Sequence, residues 1–165
     1  MTDTSDSRSA PEQPPALKIL AALALSALLL GLYARGELAW PLGFVALLPW
    51  LWALHHGHSL GRALLLAALM SAGFVLAVLH WFAAAIASYT GAGMLGALAL
   101  LAIAAPLLQP QFLAYAAVRV LARSRYGHGL AALAAAAAWL GCESLLPKLL
   151  GDTLGHGLHA ASLLR

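Results

Sequence analysis

The chain has 165 residues, of which 62% are hydrophobic and 9% charged, and its mean hydropathy is +0.86. So few charges cannot wet the surface of a soluble domain of this size, where charged usage averages roughly 25%. The net charge of +3 does not point to nucleic acid, because the nine Lys and Arg residues are scattered over ends and connecting segments rather than gathered on one face, a pattern that membrane topology explains better.

The apolar residues come in long runs rich in Ala and Leu, without the strict alternation of a barrel. A run of about 18 residues at 1.5 Å per residue crosses the hydrocarbon core, and only a helix satisfies its own backbone there. The expected fold is therefore all-α, a polytopic transmembrane helical bundle of about five spans. Residues 1–16 read as a disordered polar tail, 17–147 as the transmembrane domain and 148–165 as an interfacial tail.

The first span is expected over Leu17 to Tyr33. A cleaved signal peptide is the rival, but its leading region would carry Asp3, Asp6 and Glu12, and no small-residue cleavage pattern follows. After the turn Arg35-Gly36-Glu37 a short second span runs from Leu38 to Leu54, with Pro41 in its first turn and Pro49 deeper, where it should kink the helix. Trp40, Trp50 and Trp52 are expected at its ends, near the membrane interface. A re-entrant segment is the alternative. The third span is expected over Ala63 to Ala87. The fourth, Met94 to Leu121, carries Pro106, Gln109, Pro110 and Gln111, which predict a break whose freed carbonyls need partners within the bundle. The fifth runs from Leu130 to Leu146 and stops before Pro147. Leu150, Leu154 and Leu158 then recur at helical spacing in a Gly-rich tail.

Basic residues orient the chain. A cytoplasmic N-terminus puts Arg8, Lys18, Arg62, Arg119, Arg123 and Arg125 inside, and Arg35, Lys148 and Arg165 outside. Gly73 with Ala77, and Gly93 with Ala97, are small residues four apart that permit close helix approach. The single cysteine, Cys142, excludes an intrachain disulfide framework.

Two intramembrane ionisable residues stand out, His80 toward the outer end of the third span and Glu143 toward the outer end of the fifth. Each should face the bundle interior or water, since burial of a charge in hydrocarbon is costly. They lie in the same leaflet and could meet, as a headgroup or substrate site; otherwise each satisfies a neighbouring helix or sits near the headgroups. Cys142, Glu143 and Lys148 match the residue types of a nitrilase-type centre. Adjacent helical residues point about 100° apart, however, and nothing nearby supplies an oxyanion hole, so Cys142 reads as a small core residue. His55, His56 and His58, and the pair His156 and His159, are residue types that bind metals, but without carboxylate or thiolate partners they read as solvated loop histidines. Arg119, Arg123 and Arg125 read as a topology anchor touching anionic lipid.

The order of these features resembles a known family. Trp40-Pro41-Leu42-Gly43-Phe44-Val45-Ala46-Leu47-Leu48-Pro49-Trp50 looks like the second-helix motif of bacterial apolipoprotein N-acyltransferases. Gly73-Phe74 followed by His80-Trp81 resembles that family's glycine–aromatic stretch, with His80 in place of the usual aromatic. Trp139-Leu140-Gly141-Cys142-Glu143, then Pro147 and Leu154-Gly155-His156, resembles its Trp…Glu element; the Arg often found after the Glu is missing. The resemblance runs from Leu17 onward.

It implies the membrane half of an enzyme that moves an acyl chain from phospholipid to a lipoprotein. The nitrilase-like catalytic domain of the family would begin where this sequence stops, so no catalytic residue is expected here and the chain alone should transfer no acyl group. His80, Trp81 and Glu143 are the residues expected to face lipid or substrate. Neither a cofactor nor a metal is expected. The expected partners are membrane phospholipid and a separate nitrilase-like chain or other membrane subunits, and the expected location is the bacterial inner membrane. The alternative is a non-catalytic membrane scaffold that packs against a larger complex.

Overall fold

The computed structural model describes residues 14–35, 37–57 and 59–146. All regular structure among them is helical: α1 (Ala16–Tyr33), a 3-10 segment (Glu37–Phe44), α2 (Leu48–His55), α3 (Leu60–Leu79), α4 (Phe82–Thr90), α5 (Gly93–Leu108) and α6 (Gln111–Leu145). The helical bundle expected from composition is what forms. His58, residues 1–13 of the expected N-terminal tail, and the C-terminal stretch 147–165 with Pro147, Lys148, His156 and His159 lie outside the described residues.

α1 and α3 form the centre. Both are long and apolar enough to cross a membrane, and 39% and 44% of their apolar windows are buried within the bundle. More than half of each helix therefore faces outward, and there Leu17, Leu20, Leu25, Leu65 and Leu69 are exposed, as suits contact with lipid. Lipid removes the hydrophobic drive between helices, so close packing and polar contacts hold them together. Small residues provide that packing. A Cβ on Gly31 would sit 3.2 Å from the Ala77 Cβ, and one on Gly73 would sit 3.1 Å from the Ala27 Cβ. The expected Gly73/Ala77 pair thus meets a matching Ala27/Gly31 pair, and because 27 faces 73 while 31 faces 77, the two helices run parallel. Gly93 differs from expectation. It has φ +68 and an added Cβ would meet nothing within 4 Å, so it serves a turn rather than a helix contact.

The stretch expected as the second span does not form one long helix. Pro41 lies inside the 3-10 segment, and Pro49 occupies the first turn of α2 instead of kinking it, because a residue without an N–H suits a helix start. A Cβ on Gly43 would come 2.8 Å from the Tyr33 ring, so this glycine lets the segment lie on the end of α1. Trp50 is a second correction. It is not interfacial but wholly buried, edge-on to Phe112 at 5.3 Å and beside Tyr115. Its backbone N–H donates to Ser26 Oγ at 2.9 Å, which supplies from α1 the first-turn partner that α2 lacks, since Leu47 caps nothing.

The third apolar run is divided. α3 begins with the Ser59 hydroxyl accepting from the Arg62 N–H, an N-cap bond, and it ends at Leu79 rather than continuing to Ala87. The ladder there tightens to i+3 bonds from Ala83 to His80 and from Ala84 to Trp81, and the His80 ring lies 3.3 Å from the Ala77 carbonyl. α4 then stops at Gly91, whose φ of 68 closes the helix end, and α4 and α5 meet at 115°. Among the described residues two helices are long and apolar enough to cross a membrane, or three if this bent pair is one broken span, against the five spans expected from the apolar runs.

The predicted break in the fourth run is present. α5 carries Pro106 inside it and ends at Leu108; Gln109 has φ −130 and ψ 60, and α6 starts after Pro110. The break therefore falls at Gln109-Pro110, where the ring of Pro110 disfavours helical geometry for the residue before it. Its polar groups are met inside the bundle. Gln109 and Gln111 are buried and bond through their side chains, and Ser71 Oγ donates to the Gln109 carbonyl at 3.4 Å. α6 itself is a hairpin. At Gly127 the backbone leaves the helix with φ 75 and ψ 179, and Trp139 on the second arm returns to within 4.8 Å of Phe112 on the first. The second arm contains the residues expected as the fifth span.

Candidate functional site

Two ends of the bundle collect polar groups. At the C-terminal ends of α1 and α3, Leu28, Gly31 and Leu32 face Leu76 and Ala77 across a groove of about 230 Å³, with Arg35 and His80 also lining it. The close approach of Gly31 and Ala77 sets the groove floor. A pocket that encloses a whole small ligand is roughly 300–1,000 Å³, so this groove suits a stretch of one acyl chain. The arrangement is amphipathic in the manner of a phospholipid, with an apolar trough beside two cation-forming groups.

Of the three residues singled out in the sequence, His80 lines this groove. Trp81, its neighbour, does not; it is 61% exposed and stacks edge-on with Phe82 at 5.7 Å. Glu143 is half-buried near the end of α6, and its Oε1 is buried without a hydrogen-bond partner. His80 and Glu143 share no hydrogen bond or ion pair among the described residues, so the meeting considered from their common leaflet is not made. Cys142 is a free, half-buried thiol with no hydrogen bond to Glu143, and no nucleophile–base pair is assembled at this end among the described residues. Arg35, which the sequence places only in a turn on the outer side, also lines the groove. The signal for it was the register Leu28, Gly31/Leu32, Arg35, which places all four on one helix face.

At the opposite end, α2 and the α6 hairpin bring basic groups together. The His55 ring lies 5.6 Å from both His56 and His128. Arg123 Nη1 donates to the His55 carbonyl at 3.3 Å, and Arg119 donates to the Tyr115 hydroxyl at 3.1 Å while lying over its ring. Partial burial and then the nearby Arg123, His56, Arg119 and His128 hold His55 below the ordinary imidazole range. His56 Nδ1 is bonded to the Trp52 carbonyl. No group of three or more His, Cys, Asp or Glu side chains is placed to hold a metal among the described residues.

A bundle of apolar helices with leucines exposed on its outside is the architecture of a membrane protein. The apolipoprotein N-acyltransferase N-terminal domain model matches residues 26–163, and the chain belongs to that family. No curated protein and no solved structure matches it.

Proposed function

We propose that this chain is the membrane-embedded, lipid-admitting part of an apolipoprotein N-acyltransferase-like protein, which presents a phospholipid for acyl transfer to a lipoprotein. The observation that carries this reading is the α1–α3 groove: an apolar trough sized for acyl chain, with Arg35 and His80 available to a phosphate. The membrane domain is taken as residues 17–147 in the bacterial inner membrane, with a cytoplasmic N-terminus. The groove then opens to the periplasmic leaflet. Acyl transfer through a thioester needs a thiolate, a base within hydrogen-bond reach and oxyanion donors. Cys142 lacks the base, so the chemistry is assigned to a nitrilase-like catalytic partner and none to this chain alone.

The test is a phospholipid carrying a photoactivatable group on its acyl chain, reconstituted with the full chain in nanodiscs. Crosslinks should map to α1 and α3 beside Ala77, and Ala77→Leu, which fills the trough, should remove them. Labelling spread evenly over the outward leucines, unchanged by Ala77→Leu, would overturn the lipid-admitting reading. A non-catalytic scaffold would replace it if the chain then copurified with an unrelated membrane complex. Acyl transfer to a lipopeptide by the purified chain, abolished by Cys142→Ala, would overturn the assignment of the chemistry to a partner.

A further inference from the structure

The basic end of the bundle lies away from the α1–α3 groove and has no part in the function proposed above. We propose that Arg119, Arg123, His55 and His128 form a second site, which binds the phosphate of an anionic phospholipid at the face of the membrane where α1 and α3 begin.

The chain builds this cluster from segments far apart in sequence. His55 ends α2, and the Gly127 reversal places His128 against it although 72 positions intervene. The Arg123–His55 carbonyl bond ties the two segments together. Each arginine has five N–H donors; one bond of Arg123 goes to the His55 carbonyl and one of Arg119 to Tyr115, so both are positioned and each has further donors to offer. A concavity of about 400 Å³ adjoins them, lined by Gly57, Val120, Arg123, Ser124, Gly127 and His128.

The charge is uncompensated among the described residues. Only Glu37 and Glu143 are acidic there. Glu143 lies fifteen positions beyond His128 along α6, roughly 22 Å of helix rise. Glu37 follows the far end of α1. A phosphate matches the cluster in charge and in its capacity to accept several N–H bonds. The flanking residues select the source of that phosphate. Leu121, Tyr126 and Leu130 are exposed on α6 beside the cluster, which a water-borne ion does not need and a lipid with acyl chains does.

The cluster also responds to pH. Burial first, and then the charges of Arg123, His56, Arg119 and His128, from α6 and the end of α2, disfavour protonation of the His55 ring. A bound phosphate reverses that field, so binding takes up a proton and strengthens as pH falls through the imidazole range.

The experiment uses the full chain extracted from mixed phosphatidylcholine and phosphatidylglycerol bilayers, with retained lipid counted by native mass spectrometry. Phosphatidylglycerol should be retained in preference to phosphatidylcholine. Arg119→Gln with Arg123→Gln should cut that preference about fivefold per arginine. Lys18→Gln, a charge removed at the same face but outside the cluster, should leave it unchanged. Retention should rise from about pH 8 to about pH 5.5, and His55→Gln should flatten the rise; this exposed position carries the test if the arginine pair fails to fold. No preference for phosphatidylglycerol, or an equal loss with Lys18→Gln, would overturn the site. Displacement of the lipid by millimolar inorganic phosphate would overturn its lipid source and leave a free-anion site.

Discussion

Ser26 shows how much one small polar side chain decides in this molecule. A hydroxyl in an apolar helix commonly bonds back to its own backbone, yet Ser26 accepts the Trp50 N–H from another segment, wholly buried. Ser26→Ala should leave that first-turn amide unpaired and cost about 1–3 kcal/mol, read as earlier unfolding in a mixed-micelle denaturation series. Ser26→Ala behaving as wild type would mean that water or a relaxed α2 meets the amide. His55 gives a pH signature instead. Its folded pKa lies below the unfolded value, so the unfolded chain binds more protons in this range. Stability is then complete above the ordinary imidazole pKa and is lost as pH falls from there through the lower folded value. In zwitterionic detergent, wild type should lose stability between about pH 7 and pH 5, and His55→Gln should lose less; identical profiles would remove His55 as the cause.

Glycines govern the elements. Gly127 has a backbone conformation that only glycine adopts readily, and it turns 35 residues of helix into a hairpin. Gly127→Ala should cost about 1–3 kcal/mol through strain, since nothing lies within 4 Å of the added methyl. Unaltered thermal stability would place the reversal in the Phe112–Trp139 contact instead. Gly31 acts by space rather than by φ, because its neighbour Ala77 is 3.2 Å from an added Cβ. Gly31→Leu should push α1 from α3, and a loss of crosslinking between cysteines placed at Ala27 and Gly73 would register it. The turn around Gly127 was readable in the sequence, since Arg125 to Gly129 separates two apolar runs. The limits of the second and third spans were not. The run Ala63 to Ala87 contains no proline or glycine at the point where α3 gives way to α4, and the division instead follows a local tightening at His80 and Trp81.

For the whole molecule, the parallel α1 and α3 put both of their starting ends, and the α2–α3 connection, on one side. With the N-terminus inside, as proposed, a cysteine at Ser59 in a Cys142→Ala background should resist an impermeant thiol reagent, and one at Thr90 should react. The reverse pattern would sink the orientation.

Amino-acid order alone determined the class of this protein, because long Ala- and Leu-rich runs with few charges have only one stable state, a helical bundle in lipid. It also determined the break near Pro110 and the family motifs, which are local and carried by particular residues. Tertiary structure decided which polar groups meet. Arg35 joins His80 while Trp81 turns away and Glu143 keeps its distance; His55 joins His128; and Trp50 leaves the interface for the core. Apolar periodicity cannot reveal these outcomes, because helices in lipid choose their partners by small-residue contacts and buried hydrogen bonds, and both depend on residues distant in the chain.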